Sequence, residues 1–214
     1  MDSSIARDPA QTAAQTSENG APAGAAKAAL RKALLAARST LAGRAARDAA
    51  LAARLAAELR ARAPRCVGFY WPIRAEFDAR DVVSAWLAQA PAASLAALPV
   101  VTAPSAPLVF HRWTPDTPMT EGRYGIAVPR DTEVVVPDLL LVPCVGFTRG
   151  GLRLGYGGGF YDRTLHSLVP APHTLGIAYD ALEIERLDAE AHDLALDAIV
   201  TESAIYPRSG DPSR

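Results

Sequence analysis

Between Asp138 and Leu168 the chain runs through an apolar segment, a glycine cluster and a helical spacing in direct succession. That order restricts the fold more than any other stretch of the sequence. Asp138-Leu139-Leu140-Leu141-Val142-Pro143 reads as a short strand buried on both faces, because its apolar run is continuous and stops at proline. Arg153-Leu154-Gly155-Tyr156-Gly157-Gly158-Gly159-Phe160-Tyr161-Asp162-Arg163 then sets four glycines within the five positions 155–159, flanked by two arginines and a carboxylate. Phe160, Thr164 and Leu168, with Tyr161 and Leu165 beside them, share one helical face behind the glycines. A strand, a glycine loop and a helix N-terminus in this order can turn backbone N–H groups and the positive end of a helix toward one anion. A glycine-rich turn that only reverses the chain is the alternative.

The known nucleotide fingerprints are absent. There is no Gly-x-x-x-x-Gly-Lys-Ser/Thr, and Phe160 stands where the dinucleotide pattern needs its third glycine. No Gly-x-Ser-x-Gly elbow is present, and His111, His166, His173 and His192 lack metal-ligand spacing. Cys66 and Cys144 lie in separate apolar segments and read as buried, reduced thiols. With 22 Lys+Arg against 23 Asp+Glu there is no basic excess to suggest a nucleic-acid or membrane surface, and no window approaches the length of a membrane span. A cytoplasmic protein is expected.

Residues 1–24 are rich in Ala, Ser, Thr, Gln and Pro without an apolar core, and are expected to form a disordered, dispensable tail. One domain is expected over 25–205, with a flexible tail over 206–214. From Lys27 to Arg62 the alanine-rich sequence predicts two helices broken near Ala42-Gly43, with Leu30, Leu34, Leu41, Leu51, Leu55 and Leu59 as the apolar stripe. Most arginines here read as a solvated outer face. Lys27 and Arg31, four residues apart, project from one side of the first turn and could reach one phosphate chain, although such pairs also occur on ordinary surfaces.

Further strands are predicted at Arg65 to Trp71, Leu95 to Val101, Leu108 to Trp113, Thr174 to Ala178 and Asp197 to Thr201, with a helix capped by Asp78 and carrying Val82, Val83, Trp86 and Leu87. The alternation predicts an α/β fold: a Rossmann-like three-layer α/β/α arrangement with a mainly parallel central sheet and N-terminal helices. Ligands of such sheets bind beyond the carboxyl ends of the strands. Trp71, Glu76, the glycine loop and the segment around Asp197 are expected there. Trp71 can stack on a flat heterocycle or belong to the core, and Glu76 can accept from a ligand or be a solvated loop acid. Asp162 and Asp197 offer hard oxygen donors for Mg²⁺, or serve as a helix cap and a strand-start turn residue.

The glycine loop, the Lys27/Arg31 pair and the run His192-Asp193-Leu194-Ala195-Leu196-Asp197-Ala198-Ile199-Val200-Thr201-Glu202 together resemble the 5-formyltetrahydrofolate cyclo-ligase family. Glu76-Phe77-Asp78, Tyr124-Gly125-Ile126 with Pro129, and Pro143 to Phe147 follow the family's order, and the resemblance covers about Lys27 to Glu202. It implies an enzyme closing 5-formyltetrahydrofolate to 5,10-methenyltetrahydrofolate at the expense of ATP, with Mg²⁺. Lys27, Arg31 and Arg153 through Tyr161 (Arg153, Leu154, Gly155, Tyr156, Gly157, Gly158, Gly159, Phe160, Tyr161) match its ATP site. Arg153 and Tyr161 carry the catalytic assignment. Trp71, Glu76 and Tyr156 to Phe160 match its folate contacts, and Asp162 and Asp197 are assigned to the metal. The implied partners are ATP and reduced folates, with neither nucleic acid nor membrane, and a monomeric state. Thr148 departs from the family where an aspartate is common, and the segment after Tyr179-Asp180 lacks a frequent glutamine. A non-catalytic folate or nucleotide binder, and an enzyme of a related sugar-phosphate isomerase or CoA-transferase fold, are the competing readings.

Overall fold

The computed structural model describes residues 23–188, 190 and 193–208. Most of the expected tail over 1–24 and His192 therefore lie outside the described residues, while the first helix already begins at Ala23.

The helices are α1 (Ala23–Ser39), α2 (Arg44–Arg62), α3 (Arg80–Gln89) and α4 (Phe160–Ser167). The strands are β1 (Cys66–Gly68), β2 (Leu95–Val100), β3 (Val109–Trp113), β4 (Met119–Glu121), β5 (Ala127–Pro129), β6 (Val134–Val135), β7 (Leu139–Pro143), β8 (Gly146–Phe147), β9 (Arg153–Leu154), β10 (His173–Ile177), β11 (Ala198–Val200) and β12 (Ile205–Pro207). Eight of them form one sheet in the order β12-β11-β10-β7-β1-β2-β3-β6. The run from β11 to β2 is parallel, and β12, β3 and β6 add antiparallel margins. Each strand predicted from the sequence is present, most with an end trimmed, while β10 begins one residue earlier than expected, at His173. The chain stays ordered past 205: Tyr206 and Pro207 pair with β11, which corrects the flexible tail expected from 206, while 209–214 lie outside the described residues.

Strand β7 explains why its sequence does not alternate. Leu139 and Leu141 join a core that includes Leu34, Leu51, Leu55, Leu59, Val83 and Trp86 from α1, α2 and α3. Leu140 and Val142, on the opposite face, join Ala97, Phe110 and Ile199, against which Phe160, Tyr161 and Leu165 of α4 pack. Both faces of a strand covered by helices demand an unbroken apolar run, and the result is the expected α/β/α layering. Helices α1 and α2 break where predicted, at Gly43, whose φ of 65° is accessible to glycine with little strain. Asp78 is displaced from its expected role: Ala79 is the cap residue of α3, and the Asp78 carboxylate accepts the Arg80 N–H at 3.1 Å and its guanidinium Nη2 at 2.5 Å.

Candidate active site

After leaving β7 the chain makes the β8–β9 hairpin, crosses residues 155–159 and enters α4, so the glycine loop stands at the carboxyl edge of the parallel sheet. Gly157 and Gly159 take φ of 91° and 64°, conformations that a side chain would strain. From Gly155 to Asp162 no backbone N–H donates to a backbone carbonyl among the described residues, and Gly157 and Gly158 are exposed. Unpaired donors at a helix start have the geometry that can cradle an anion. Helix α1 closes it from one side: Arg31 Nε donates to Gly155 O at 2.7 Å, and its Nη2 would lie 3.4 Å from a Cβ built on Gly157. One turn earlier, Lys27 Nζ is 2.7 Å from Glu190 Oε1 and 3.7 Å from Asp193 Oδ2, and its hydrogen bond with Glu190 raises its pKa. Of the expected pair, Arg31 is thus brought to the loop, while Lys27 faces Glu190 and Asp193.

Arg153 comes off β9 with its side chain only 6 % exposed. Its Nη2 donates to Asp162 Oδ1 at 2.9 Å and its Nη1 to Leu194 O at 3.4 Å. The arginine expected at the transferred phosphoryl and the aspartate expected at the metal hold one another. Asp197 is engaged elsewhere. It immediately precedes β11, and its Oδ2 accepts from Thr174 N at 2.8 Å and Thr174 Oγ1 at 2.9 Å, beside His173 at the start of β10. Parallel strands start at the amino edge, so Asp197 closes the foot of the sheet and the turn-residue reading holds. The carboxylate on the cradle's side is Asp193, next to the Leu194 carbonyl that Arg153 reaches and close to Lys27. Sequence reasoning placed it inside a matching run without giving it a role. Asp193 and Asp197 are four residues apart, and the chain path carries them to different edges of the sheet.

On the other side of the loop, Tyr156 Oη donates to Glu76 Oε1 at 2.6 Å and accepts from Arg38 Nη2 at 2.5 Å. Glu76 Oε2 accepts the Ile73 N–H at 2.8 Å, and Arg44 Nη2 donates to the Glu76 carbonyl at 2.9 Å. Glu76 is therefore a buried acid, 7 % exposed, and the solvated-loop alternative is set aside. Burial pushes its pKa up, while the Tyr156 and Ile73 hydrogen bonds and the charges of Arg38 and Arg74 oppose that. Arg74 and Ala75, just before it, take positive φ of 47° and 59°. Such strain in non-glycine residues persists where surrounding contacts over-determine the backbone.

Trp71, three residues past β1, is half-buried against the core with the Arg80 guanidinium 4.4 Å from its ring centroid. Tyr161 packs on the α4 side of the core, and burial, with the Glu76 charge, drives its phenol pKa upward. It can donate a hydrogen bond at neutral pH but cannot act as a base. Burial also pushes the Cys66 thiol up to about 11 and Cys144 up to about 12, so both are inert free thiols as expected. Two neighbours of the loop carried no role in the sequence reading. Tyr124, with φ of 65°, presents an exposed ring edge-on to Phe160 at 6.1 Å. Arg38 lies in the stretch whose arginines mostly read as a solvated outer face, yet it is 2 % exposed. Its signal was legible: Leu30, Leu34 and Arg38 are spaced by four along one stripe.

No group of three or more His, Cys, Asp or Glu side chains suited to a metal occurs among the described residues. A cleft of about 420 Å³ lies away from the cradle, between Thr148 to Leu152 of the β8–β9 hairpin and Glu183 to Leu187. No helix among the described residues is long and apolar enough to cross a membrane.

Fold and site together define an α/β/α protein with a glycine loop of unpaired backbone N–H groups at the carboxyl edge of a parallel sheet and a buried acid beside it. The 5-formyltetrahydrofolate cyclo-ligase family model matches residues 23–202, and the chain belongs to that family. It is 41% identical over 99 residues to the 5-formyltetrahydrofolate cyclo-ligase of Haemophilus influenzae, covering 42% of this chain and 51% of that protein. To the Escherichia coli K12 cyclo-ligase it is 38% identical over 105 residues, covering 46% and 58%. The matched segments thus span about half the length of these relatives. Among solved structures, the 5,10-methenyltetrahydrofolate synthetase of Aquifex aeolicus superposes with a TM-score of 0.71 at 28% identity, covering 88% of this chain and 95% of that one. The synthetase of Mycoplasma pneumoniae gives 0.68 at 27% identity, covering 83% and 99%.

Proposed function

We propose that this chain is a 5-formyltetrahydrofolate cyclo-ligase, forming 5,10-methenyltetrahydrofolate with release of ADP and phosphate. The observation that carries the reading is the convergence at one sheet edge of an N–H cradle, Lys27, Arg31 and Arg153 with a buried acid on the loop's other side. A phosphate chain and a second, heterocyclic substrate can meet across Tyr156 to Phe160, with Trp71 and Glu76 on the folate side.

The formamide oxygen of the substrate is a very poor leaving group. Transfer of the γ-phosphoryl to it converts that oxygen into a phosphate ester of an imidate. Nitrogen-10 then attacks the former formyl carbon and loses its proton, and the C–O bond breaks to release phosphate. The protein's part is positioning and charge stabilisation. The cradle holds phosphate oxygens, and Lys27 and Arg31 neutralise the chain along α1. Arg153 exchanges its Asp162 contact for the transferred group, and Tyr161 stays protonated as a donor. The donor set fits Mg²⁺ bound with a nucleotide, because such an ion takes one or two protein carboxylates and completes its shell with phosphate and water. Asp162 and Asp193 would hold it, and it would neutralise phosphate charge. Asp197 would not. The same reading makes the protein a cytoplasmic monomer acting on ATP and reduced folates.

The test is one assay with ATP, Mg²⁺ and 5-formyltetrahydrofolate, following the near-ultraviolet methenyl chromophore. An ATP-dependent rise is expected. Tight binding of folate without any chromophore would leave a non-catalytic binder and remove this proposal.

A further inference from the structure

Among the described residues Arg38 is the largest of the fully buried side chains, and its direct hydrogen-bond partners there are two carbonyls and a phenol, with no carboxylate. Its Nε donates to Arg74 O at 3.1 Å, its Nη1 to Cys144 O at 3.3 Å and its Nη2 to Tyr156 Oη at 2.5 Å. A guanidinium this buried is costly unless its charge is answered. The answer comes through a relay: Tyr156 passes its own proton toward Glu76 Oε1 at 2.6 Å, so one phenol oxygen lies between a cation and an acid. Both contacts are short, as charge-assisted bonds are. The Arg38 and Arg74 guanidinium carbons also lie 5.9 Å and 5.6 Å from the Tyr156 ring centroid.

Three separate elements meet at that oxygen: α1, the segment after β1, and the glycine loop. Arg38 follows Arg31 by two helical turns and Lys27 by three, so all three project from nearly one face of α1. Arg31 touches the loop at Gly155 and Arg38 touches it at Tyr156, the one large residue among its glycines. A loop of glycines loses more conformational freedom on ordering than any other. Its shape therefore depends on what grips the side chain it does possess.

We infer that Arg38 is a positioning residue for the proposed reaction: by gripping Tyr156 against Glu76 it sets the glycine loop in the conformation that aligns the phosphate cradle with the second substrate. This rests on the cyclo-ligase reading and adds to it a residue that touches neither substrate. Arg38 acts through Tyr156 and Glu76, while Lys27 and Arg31 hold the phosphate chain independently of it. Loss of Arg38 is thus expected to fall on kcat and to spare the KM for ATP.

A second consequence concerns pH. The charged and titratable groups facing Glu76 are Arg38, Arg74, Tyr156, Tyr70, Tyr161 and Cys144, with Arg44 on its carbonyl. The phenols of Tyr70, Tyr156 and Tyr161 and the Cys144 thiol are all pushed upward, chiefly by burial, and remain neutral around pH 7. Arg38 and Tyr156 both favour ionised Glu76. Removing either shifts Glu76 ionisation to higher pH, and with it the acid limb of kcat.

The experiment compares wild type, Arg38→Met, Arg38→Lys and Tyr156→Phe, each with a circular dichroism melt, KM for both substrates and a kcat–pH profile. For Arg38→Met a fall in kcat of about 10²-fold is expected, as for a misaligned reaction centre. The KM for ATP should stay within about threefold, and the acid limb should move up by about one unit. Tyr156→Phe should move the limb the same way, and Arg38→Lys should recover part of both effects. A folded Arg38→Met whose limb is unmoved, or whose KM for ATP rises in step with the loss of kcat, overturns the inference. If Arg38→Met does not fold, an unmoved limb in Tyr156→Phe overturns it. A wild type that never forms the chromophore removes the cyclo-ligase reading and this inference with it, an outcome distinct from an active wild type with indifferent variants.

Discussion

The two edges of the parallel sheet spend their carboxylates differently. At the amino edge, Asp138 and Asp197 each precede a strand and accept from the backbone of its neighbour: Asp138 from Arg65 N at 3.1 Å and Cys66 N at 2.9 Å, Asp197 from Thr174 N at 2.8 Å. At the carboxyl edge, Asp162 pairs with Arg153, Asp193 lies near Lys27, and Glu76 answers Tyr156 and Arg38. A backbone N–H at a strand start belongs to the fold and has no better partner. A side-chain cation or phenol can exchange its partner for a phosphate or a substrate. The residue type is the same, and the partner decides whether it serves the chain or the site.

The strongest way to break this contrast is at Arg153. Arg153→Ala is expected to lower turnover by about 10³-fold or more, as loss of a transferred-phosphoryl contact does, with the far-ultraviolet circular dichroism unchanged. Wild-type-like turnover would remove its role. Next come the aspartates. Asp162→Asn and Asp193→Asn should each raise the Mg²⁺ concentration for half-maximal rate by about tenfold, measured by metal titration of the folate assay. Asp197→Asn should leave that titration where it is, and a shift there would return Asp197 to the metal.

At the amino edge the effect should be on stability. Asp138→Ala and Asp197→Ala each leave buried or half-buried N–H donors unanswered, costing about 1–3 kcal/mol. Thermal melts should fall by a few degrees with kcat per folded molecule unaltered. The smallest effect separates the edges by sign. The Glu76 carboxyl is raised in the folded state, so between its unfolded and folded pKa values the native chain holds the extra proton. Its contribution is fully present below the unfolded pKa and is lost as pH rises through the folded one. Glu76→Gln should therefore gain in melting temperature relative to wild type as pH climbs from about 4 toward 7. A difference that stays flat with pH would show that Glu76 ionises without cost.

Much of this architecture was legible before any coordinates. Continuous apolar runs bounded by proline or glycine marked the strands, because β7 and its parallel neighbours are covered on both faces. Alanine-rich spacing marked α1 and α2, and Gly43 marked the break between them. The positive-φ glycines of the loop followed from its composition, and the shared side of Lys27 and Arg31 from their helical spacing. These are properties of three to eight consecutive residues, and periodicity reports them.

What periodicity could not report is the direction of the chain between elements. Asp193 and Asp197 differ by four residues and look alike as oxygen donors, yet one returns to the cradle while the other closes the foot of β11. Composition reads most arginines of α1 and α2 as a solvated outer face, whereas the packing of α1 on the sheet buries Arg38 against Tyr156 and the Arg74 carbonyl. Charge is a local property of a residue, but its partner is chosen by elements 36 to 118 residues apart in the chain. Sequence alone determined the layers and the glycine loop between β9 and α4. Only the tertiary structure decided which charges face that loop and which are used up in holding the sheet.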